Sequence, residues 1–277
     1  MENPNIGELI DSLKHPIIRS ARALNTPSER EAQARYLVEG EDLVQTAVEF
    51  RAPVDYALLA EDPFPEPLSH ALSNAGIPWY RTTKGLLYKI IGTPYETAVT
   101  AVAVVQKKQA TLKDLLSCEN PLVAVGERIQ DPRNVGVLIR TADAAGTSGL
   151  ILTTDSADPF SRQAVRSSRG AILRLPLCLA AHLIQVLLNM KEAGLRIVST
   201  SAHAELCYWD SELNEPCALV FGNETTGVSQ EVKDIADLNV RIPILGGAHS
   251  LNVAVAAGII LYEAVRQRMR NREVKIT

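Results

Sequence analysis

Apolar and polar residues alternate along the first third of the chain with the periods of helices and of buried strands. Helical periodicity predicts helices over residues 6–13, 28–35, 43–50 and 68–75. Apolar runs bounded by proline and glycine predict strands over residues 36–39, 54–59, 79–81 and 97–105. This interleaving predicts a small α/β unit.

The same alternation continues on a larger scale after residue 120. Short apolar runs predict strands over residues 122–125, 150–152, 197–200, 218–221 and 239–242. Longer periodic stretches predict helices over residues 135–145, 160–167, 183–193 and 252–269. Strands that alternate with helices favour a mostly parallel sheet that is covered on both faces.

A polar stretch, Q-K-K-Q at residues 106–109, separates the two patterns. It interrupts the hydrophobic period until Leu122 resumes it, as a connecting segment does. We therefore predict a first domain over 1–105, a linker over 106–119 and a second domain over 120–277.

Composition and charge restrict the classes of protein that this chain can be. Hydrophobic residues make up 46% of the 277 residues and charged residues 22%, which is typical of a folded globular protein. The formal net charge is −4, so any site for a polyanion must be local. One basic stretch exists, since residues 160–189 hold no acid but contain Arg162, Arg166, Arg169 and Arg174. A solvated helix face would explain it, but we favour RNA contacts for Arg166 and Arg169.

Membrane and metal sites are not indicated. The strongly apolar stretch 251–262 is shorter than the ~20 residues that span a bilayer. Residues 1–4 lack the basic start of a secretory signal, so we expect a cytoplasmic protein without a membrane partner. The four cysteines form no C-x-x-C pair, which favours reduced thiols and no metal.

Three polar segments interrupt the apolar pattern of the second domain, and the first follows the strand 122–125. Residues 130–142 read Q-D-P-R-N-V-G-V-L-I-R-T-A and open a helix, whose free N–H groups favour anions. Asn134 and Arg140 lie within two turns, and a guanidinium can clamp a phosphate with two hydrogen bonds. Helix capping by Asp131 or Asn134, with Arg140 as a surface charge, explains the segment equally well.

The second segment, residues 219–227, reads L-V-F-G-N-E-T-T-G. Gly222 and Gly227 flank its polar centre, and glycine allows a backbone to approach a ligand closely. On its own this pattern favours an ordinary turn from a strand to a helix.

The third segment, residues 242–257, reads I-P-I-L-G-G-A-H-S-L-N-V-A-V-A-A. Ser250 could cap a buried helix, but Asn252 would then lie inside that helix, where asparagine is unfavourable. Polarity within a helix beside a glycine loop suggests a functional site.

Taken in order, the three segments resemble the SpoU (TrmH-like) family of the SPOUT class, whose members methylate ribose 2′-hydroxyls in RNA. The matching patterns are N-x-G-x-x-x-R-T-A at 134–142, F-G-N-E-x-x-G at 221–227 and I-P-x-x-G-x-x-x-S-L-N-V at 242–253. The resemblance covers residues 120–268. By length and pattern alone, residues 1–105 are similar to the small L30e-like α/β domain that binds RNA in many members.

The resemblance implies a particular fold, cofactor and set of partners. The fold is α/β, with a parallel sheet and a deep C-terminal trefoil knot in the SPOUT domain. The cofactor is S-adenosylmethionine, and the active form is a homodimer whose sites are completed across the interface. The substrate is RNA, with 23S rRNA preferred and tRNA as an alternative.

The resemblance also implies roles for individual residues. The catalytic set comprises Asn134, Arg140, Glu224, Ser250 and Asn252. The cofactor set comprises Gly222, Ile242, Leu245, Gly246 and Leu251. A guanidinium stays protonated, so we expect Arg140 to grip a phosphate and to stabilise the developing alkoxide. Whether the RNA phosphate or Arg140 takes the proton stays open.

Two features depart from the family pattern, namely Glu127 with Arg128 at a strand end and the acidic pI of about 5.8. A knotted dimer that binds RNA without catalysis is the main alternative, although the intact catalytic set argues against it. A Rossmann oxidoreductase is disfavoured because no G-x-G-x-x-G follows a predicted strand.

Overall fold

The computed structural model describes residues 6–92 and 99–270, and these form two compact units. The first unit comprises the described residues up to Lys107 together with Asp158–Arg174. The second comprises Lys108–Ala157 and the described residues from Leu175 onward. Residues 158–174, which the sequence analysis places in the second domain, therefore pack with the first unit. Residues 1–4, and positions 97 and 98 of the predicted strand 97–105, lie outside the described residues.

Helices and strands interleave in the first unit, as predicted. In chain order its elements are β1 (Leu9–Ile10), α1 (Pro16–Ala23), α2 (Pro27–Ala32), β2 (Arg35–Glu39), α3 (Glu41–Glu49), β3 (Val54–Ala60), α4 (Glu66–Asn74), β4 (Trp79–Thr82), α5 (Lys84–Ile91) and β5 (Ala101–Gln106). The predicted helix 6–13 is wrong. Gly7 has a φ of 81°, outside the range of a right-handed helix, and β1 pairs in parallel with β4.

The five strands of this unit form a mixed sheet in the order β1-β4-β3-β5-β2. Strand β5 runs antiparallel to both of its neighbours, and the other pairs are parallel. Helices α1 and α5 pack together over one face, where Ile18, Leu58, Leu87 and Ile90 are buried in a common core. Helices α3 and α4 pack against each other on the opposite side, with α3 against β2, β3 and β5.

The rest of the chain contains longer βα alternation. In chain order its elements are α6 (Leu112–Leu115), β6 (Leu122–Gly126), α7 (Pro132–Ala144), β7 (Gly149–Thr153), α8 (Arg162–Ser168), β8 (Leu177–Ala180), α9 (Leu183–Glu192), β9 (Arg196–Thr200), β10 (Leu206–Cys207), β11 (Cys217–Phe221), α10 (Gln230–Ile235), β12 (Leu238–Arg241) and α11 (Val253–Arg270). Only α8 lies in the segment that packs with the first unit.

The second unit is built on a seven-stranded sheet in the order β10-β12-β9-β11-β6-β7-β8. Every pairing in this sheet is parallel, which confirms the predicted parallel sheet. All residues of β6, β7 and β11 are buried, as expected of strands covered on both faces. The carboxyl ends of these strands therefore meet at one edge, where ligands bind in open parallel sheets.

Helix α11 packs beside α7 and runs parallel to it. Three successive contacts show this direction: Asn252 with Asn134, Gly258 with Thr141, and the Tyr262 hydroxyl, which donates to the carbonyl of Ala144 at 3.3 Å. Both helices therefore begin at the carboxyl edge of the sheet. In the part of the chain that the structure describes, no helix is long and apolar enough to cross a membrane.

Candidate functional site

A cavity of about 380 Å³ opens at the carboxyl edge of the parallel sheet in the second unit. Its walls come from the ends of β9, β11 and β12, from the loops after β11 and β12, and from the first turns of α11. Five predicted site residues line it: Gly222, Glu224, Ile242, Ser250 and Leu251. The second and third polar segments, which lie about fifteen positions apart in the sequence, therefore meet around one cavity.

Gly222 allows the loop after β11 to fold back on itself. A Cβ atom at this position would lie 2.1 Å from both the carbonyl carbon of Gly227 and the amide nitrogen of Val228. No side chain fits at that separation, so the close approach requires glycine. Glycine was expected here for a close approach of backbone to a ligand, and in the structure it also allows a close approach within the loop that borders the cavity.

Asn223 fixes the turn of the same loop, although the sequence analysis did not assign it to the site. Its Oδ1 accepts hydrogen bonds from the amides of Thr225 and Thr226, at 2.9 and 3.0 Å. Its Nδ2 donates to the carbonyl of Arg128 at 2.8 Å, which ties the loop to the end of β6. The pattern F-G-N-E contains this signal, because an asparagine side chain commonly closes such turns by hydrogen-bonding the backbone two residues further on.

Glu224 joins the loops that follow β6 and β11. Its carboxylate accepts hydrogen bonds from the Asn134 side chain at 2.9 Å and from the amides of Gln130 and Asp131 at 3.0 and 3.1 Å. Burial alone would raise the pKa of Glu224, but these hydrogen bonds outweigh it and hold the pKa below its ordinary value. The group is therefore an ionised acceptor that holds the start of α7 in place.

Asn252 continues this network and begins α11. Its Nδ2 donates to the Oδ1 of Asn134 at 2.9 Å, while its own Oδ1 accepts from the amide of Ala254 at 2.9 Å. The helix begins at Val253, so Asn252 is its N-cap, and the predicted helical position of Asn252 and the capping role of Ser250 are wrong. Glu224, Asn134 and Asn252 thus form one hydrogen-bonded chain that joins all three polar segments.

Glu127, one of the two departures from the family pattern, has a structural contact here. Its buried carboxylate accepts a hydrogen bond from the amide of Ser229 at 2.8 Å. The loop after β11 is therefore attached to β6 at both of its ends, through Asn223 and Ser229.

Arg140 stands apart from the cavity. It lies on the exposed side of α7, and within residues 6–92 and 99–270 its guanidinium has no hydrogen-bond or ion-pair partner. At the start of α7 the N-cap is Asp131, which accepts from the amide of Arg133 at 2.8 Å, so Asn134 is not needed as a cap. Neither Asn134, Arg140 nor Asn252 lines the cavity.

Two predicted cofactor residues in the loop after β12 lie away from the cavity. Leu245 is 99% exposed, and neither it nor Gly246 lines the cavity. Several residues that line it were not predicted, and they include Thr200, His203, Lys233 and His249. Thr200 ends β9 and His203 follows it, whereas Lys233 lies in α10 and His249 belongs to the loop after β12. Only the order of strands in the sheet brings these segments together.

The two arginines predicted to bind RNA lie in the first unit. Arg166 lies with its Nε 3.0 Å from a carboxylate oxygen of the buried Glu39, and Arg162 contacts the other oxygen of that carboxylate at 2.8 Å. Arg169 is exposed at the end of α8, with a φ of 50°. The charge of α8 is therefore partly compensated within its own unit.

These features define an α/β fold with a cavity at the carboxyl edge of a parallel sheet. The SpoU rRNA Methylase family matches residues 121–262, and the chain belongs to this family of methyltransferases. The family resemblance drawn from the three polar segments is thereby confirmed.

Relatives match almost the whole chain. The 23S rRNA (guanosine(2553)-2′-O)-methyltransferase RlmP of Bacillus subtilis is 31% identical over 91% of this chain and 97% of its own. A crystal structure of the SpoU methyltransferase AviRb from Streptomyces viridochromogenes in complex with AdoMet has a TM-score of 0.83 at 30% identity, covering 94% of this chain and 100% of its own. An AdoMet-bound rRNA methyltransferase from Sinorhizobium meliloti has a TM-score of 0.82 at 29% identity, covering 94% and 97%.

Proposed function

We propose that this protein uses S-adenosylmethionine to methylate a ribose 2′-hydroxyl of ribosomal RNA, with 23S rRNA as the substrate. The observation that carries the proposal is the chain formed by Glu224, Asn134 and Asn252, which joins the three family segments beside one cavity. RlmP, which matches 91% of this chain, is named as a 23S rRNA 2′-O-methyltransferase, and this supports the choice of substrate.

The cavity fits the proposed cofactor in size and lining. Its volume of about 380 Å³ lies within the ~300–1,000 Å³ of small-molecule sites. Ile242 and Leu251 offer apolar surface for an adenine ring, and Gly222 brings the backbone close to the same space. Leu245 and Gly246 remain in the proposed cofactor set, since they belong to the same loop as Ile242. S-adenosylmethionine supplies an electrophilic methyl group on a sulfonium centre.

The residues of this chain have to position and activate a weak nucleophile. A ribose hydroxyl has a very high pKa, so stabilising the developing alkoxide lowers the barrier. Arg140 stays protonated and is free of partners among the described residues, so its planar group can hold an RNA phosphate and the oxygen that becomes charged. Asn134 and Asn252 hydrogen-bond to each other and hold together the first turns of the two helices that frame this step, and Ser250 orients the substrate from the cavity wall.

We propose a homodimer that brings Arg140 of one protomer to the cavity of the other. The paired helices α7 and α11 expose an apolar face beside Arg140, where Val137, Val255 and Tyr262 are 39%, 53% and 51% exposed. Exposed apolar patches mark protein–protein interaction sites. A second copy that covers this face would complete a site that one chain leaves open.

We also propose the trefoil knot that the family resemblance implies. The connections after β11 and after β12 both pass along the carboxyl edge of the sheet and both line the cavity. Connections on one edge ordinarily avoid crossing, and knots are the rare exceptions. Mechanical unfolding should leave a chain measurably shorter than its full contour length if the knot is present.

The first unit is proposed to be the L30e-like domain that holds the RNA substrate. We propose residues 1–105 as this domain, 106–119 as the linker and 120–277 as the methyltransferase domain, except that residues 158–174, with the proposed RNA contacts Arg166 and Arg169, pack with the first unit. We propose that rRNA is preferred over tRNA, and a ribosomal substrate also supports the expected cytoplasmic location.

Transfer of radiolabelled methyl groups tests the proposed function. We expect purified protein to bind S-adenosylmethionine by calorimetry and to label 23S rRNA but not a tRNA pool. Mapping 2′-O-methyl positions in rRNA from cells with and without the protein would identify the nucleotide.

A substrate lacking the reacting group is the matched control. An RNA fragment that contains the mapped nucleotide should be labelled, and the same fragment with a 2′-deoxyribose at that position should not. Cofactor and RNA binding without any transfer would instead support the non-catalytic RNA-binding dimer.

A further inference from the structure

Charge is distributed unequally between the two helical layers of the first unit. Helices α1 and α5 carry four basic residues and no acidic residue, namely Arg19, Arg22, Lys84 and Lys89. Helices α3 and α4 carry four acidic residues and no lysine or arginine, namely Glu41, Asp42, Glu49 and Glu66. The unit is therefore polarised across its sheet, although the whole chain is acidic.

The four basic residues of α1 and α5 share one surface. The two helices pack together, and the side chain of Asn25, just after α1, donates to the carbonyl of Ile90 in α5. Their apolar residues pack in a common core, where Ile18 and Leu87 are fully buried, and the cations lie outside that core. All four are exposed. We call this set the α1/α5 basic face.

The cations of this face lack the compensation found elsewhere in the unit. Arg30 pairs with Asp158, Lys107 pairs with Glu31, and the buried Glu39 holds both Arg162 and Arg166. Within residues 6–92 and 99–270, by contrast, Arg19, Arg22, Lys84 and Lys89 have no ion-pair partner. The acids nearest in sequence to α1 are Glu8 and Asp11, which precede the helix and lie on neither helix of the face.

We propose that the α1/α5 basic face is the surface on which the first unit binds the phosphate backbone of RNA. The inference rests on the proposed function, which supplies the polyanion. Four uncompensated cations on one side and four acids on the other would hold RNA against one layer only and repel it from the other. The face differs from the basic stretch around α8 that the sequence singled out, because Glu39 already neutralises part of that charge.

Salt-dependent binding of a 23S rRNA transcript tests this surface. Each lost phosphate contact lowers the slope of log affinity against log salt by ~0.7–0.9. The variant Arg19→Gln/Arg22→Gln/Lys84→Gln/Lys89→Gln should therefore lose ~3 from the slope and at least ~10-fold in affinity at low salt. Calorimetry should show unchanged S-adenosylmethionine binding, because the substitutions lie outside the second unit.

Two further variants keep the result specific. Lys108→Gln/Lys113→Gln removes two exposed positive charges from the second unit and should change the slope less than the matched pair Arg19→Gln/Arg22→Gln. Arg19→Lys/Arg22→Lys keeps the charge and should retain affinity within ~3-fold, since lysine and arginine both neutralise phosphates and release counterions. Loss in this conservative variant equal to that in the glutamine pair would show that packing, and not charge, is responsible, and would overturn the proposal.

Different results would contradict the α1/α5 basic face as the RNA surface and the proposed function itself. If the wild-type protein methylates 23S rRNA and the quadruple variant keeps its affinity and slope, the α1/α5 basic face is not the RNA surface, and an acidic protein becomes its candidate ligand. If the wild-type protein neither binds S-adenosylmethionine nor labels rRNA, the proposed function itself is wrong.

Discussion

The two loops that border the cavity differ in how firmly one chain holds them. Residues 222–229 are fixed by the close approach at Gly222, by the Asn223 turn and by the contacts of Glu224 and Ser229 with neighbouring loops. Residues 242–251 make no hydrogen bond within the described parts of the chain, and Leu245 at the tip is 99% exposed. Residues 222–229 therefore form a preformed loop on one wall of the cavity. Residues 242–251 form an open loop on the other wall, which is held only where it joins β12 and α11.

This difference separates what a single chain can build from what a ligand or a second copy must complete. Segments with few contacts and solvated backbone have low local stability. The exposed loop adjoins α11, whose outer face is apolar and also exposed at Val255 and Tyr262. Arg140 belongs with this open side, because it too has no partner among the described residues. We therefore expect ligand binding and association with a second copy to act on the loop 242–251, the outer face of α11 and Arg140, and to leave the loop 222–229 unchanged.

The largest effect is expected at Arg140. Replacement by alanine removes interactions that are strongest in the transition state, so the single-turnover rate should fall by ~10²–10³ while cofactor affinity hardly changes. Arg140→Lys should rescue little, because it keeps the charge but loses the planar fork. Single-turnover methylation of 23S rRNA measures both variants.

The unfolding temperatures of the two Arg140 variants also test the comparison between the preformed loop and the open side of the cavity. Since the side chain has no partner among the described residues, both variants should unfold at the wild-type temperature by circular dichroism. Rates near those of the wild type would remove Arg140 from the catalytic set.

A second prediction concerns the preformed loop. Gly222→Ala puts a Cβ 2.1 Å from backbone atoms of residues 227 and 228, and those atoms cannot rotate away. Overpacking of this kind costs ~1–3 kcal/mol, so the free energy of unfolding should fall and the cofactor dissociation constant should rise at least ~10-fold. Denaturant unfolding and calorimetry measure the two quantities.

Gly246→Ala is the matched control on the open loop. A Cβ at Gly246 meets nothing within 4 Å, so the free energy of unfolding should stay within ~0.5 kcal/mol of the wild type. Equal destabilisation by the two substitutions would contradict the distinction between a preformed and an open wall.

The sequence predicted the parallel sheet and the family but not the arrangement of the cavity. Continuous apolar runs identify the strands β6, β7 and β11, because strands buried on both faces need apolar residues at every position. Which strands become neighbours depends on distant pairings, and β9 lies between β11 and β12 although it precedes both in the sequence. Residues at the end of β9 and just after it, such as Thr200 and His203, therefore gave no signal.

The wrong secondary-structure predictions also arise because residues far apart in the sequence determine local conformation. Residues 6–13 have a helical period, but pairing of β1 with β4, some seventy positions away, determines their conformation. Asn252 was placed inside a helix because periodicity does not locate the first helical residue, whereas its hydrogen bond to Ala254 does. The partner of Asn252, Asn134, is 118 positions away, so no local pattern could reveal the chain that joins the three segments.

A third prediction concerns the end of the open loop, where Asn252 fixes it to α11. Asn252→Ala removes the N-cap and the hydrogen bond to Asn134, and the free energy of unfolding should fall by ~1–2 kcal/mol. Ser250→Ala, two residues earlier, should change stability by less than ~0.5 kcal/mol because Ser250 caps nothing. Denaturant titration of both variants decides which residue caps the helix, and a larger loss in Ser250→Ala would reverse the assignment.

The smallest expected effect is the pH dependence that Glu224 gives to the preformed loop. Its hydrogen bonds hold the pKa below its ordinary value despite burial, so the folded state binds the proton less tightly than the unfolded state. The stabilisation is therefore fully present above the unfolded pKa of ~4.3 and is lost as the pH falls through the folded pKa. Thermal unfolding of wild type and Glu224→Gln should show a difference near pH 7 that shrinks below pH ~4. The matched variant Glu231→Gln, at an exposed position of α10, should track the wild type throughout. A Glu224→Gln deficit that stays constant down to pH ~3 would show that loop geometry, and not the ionised carboxylate, stabilises this wall of the cavity.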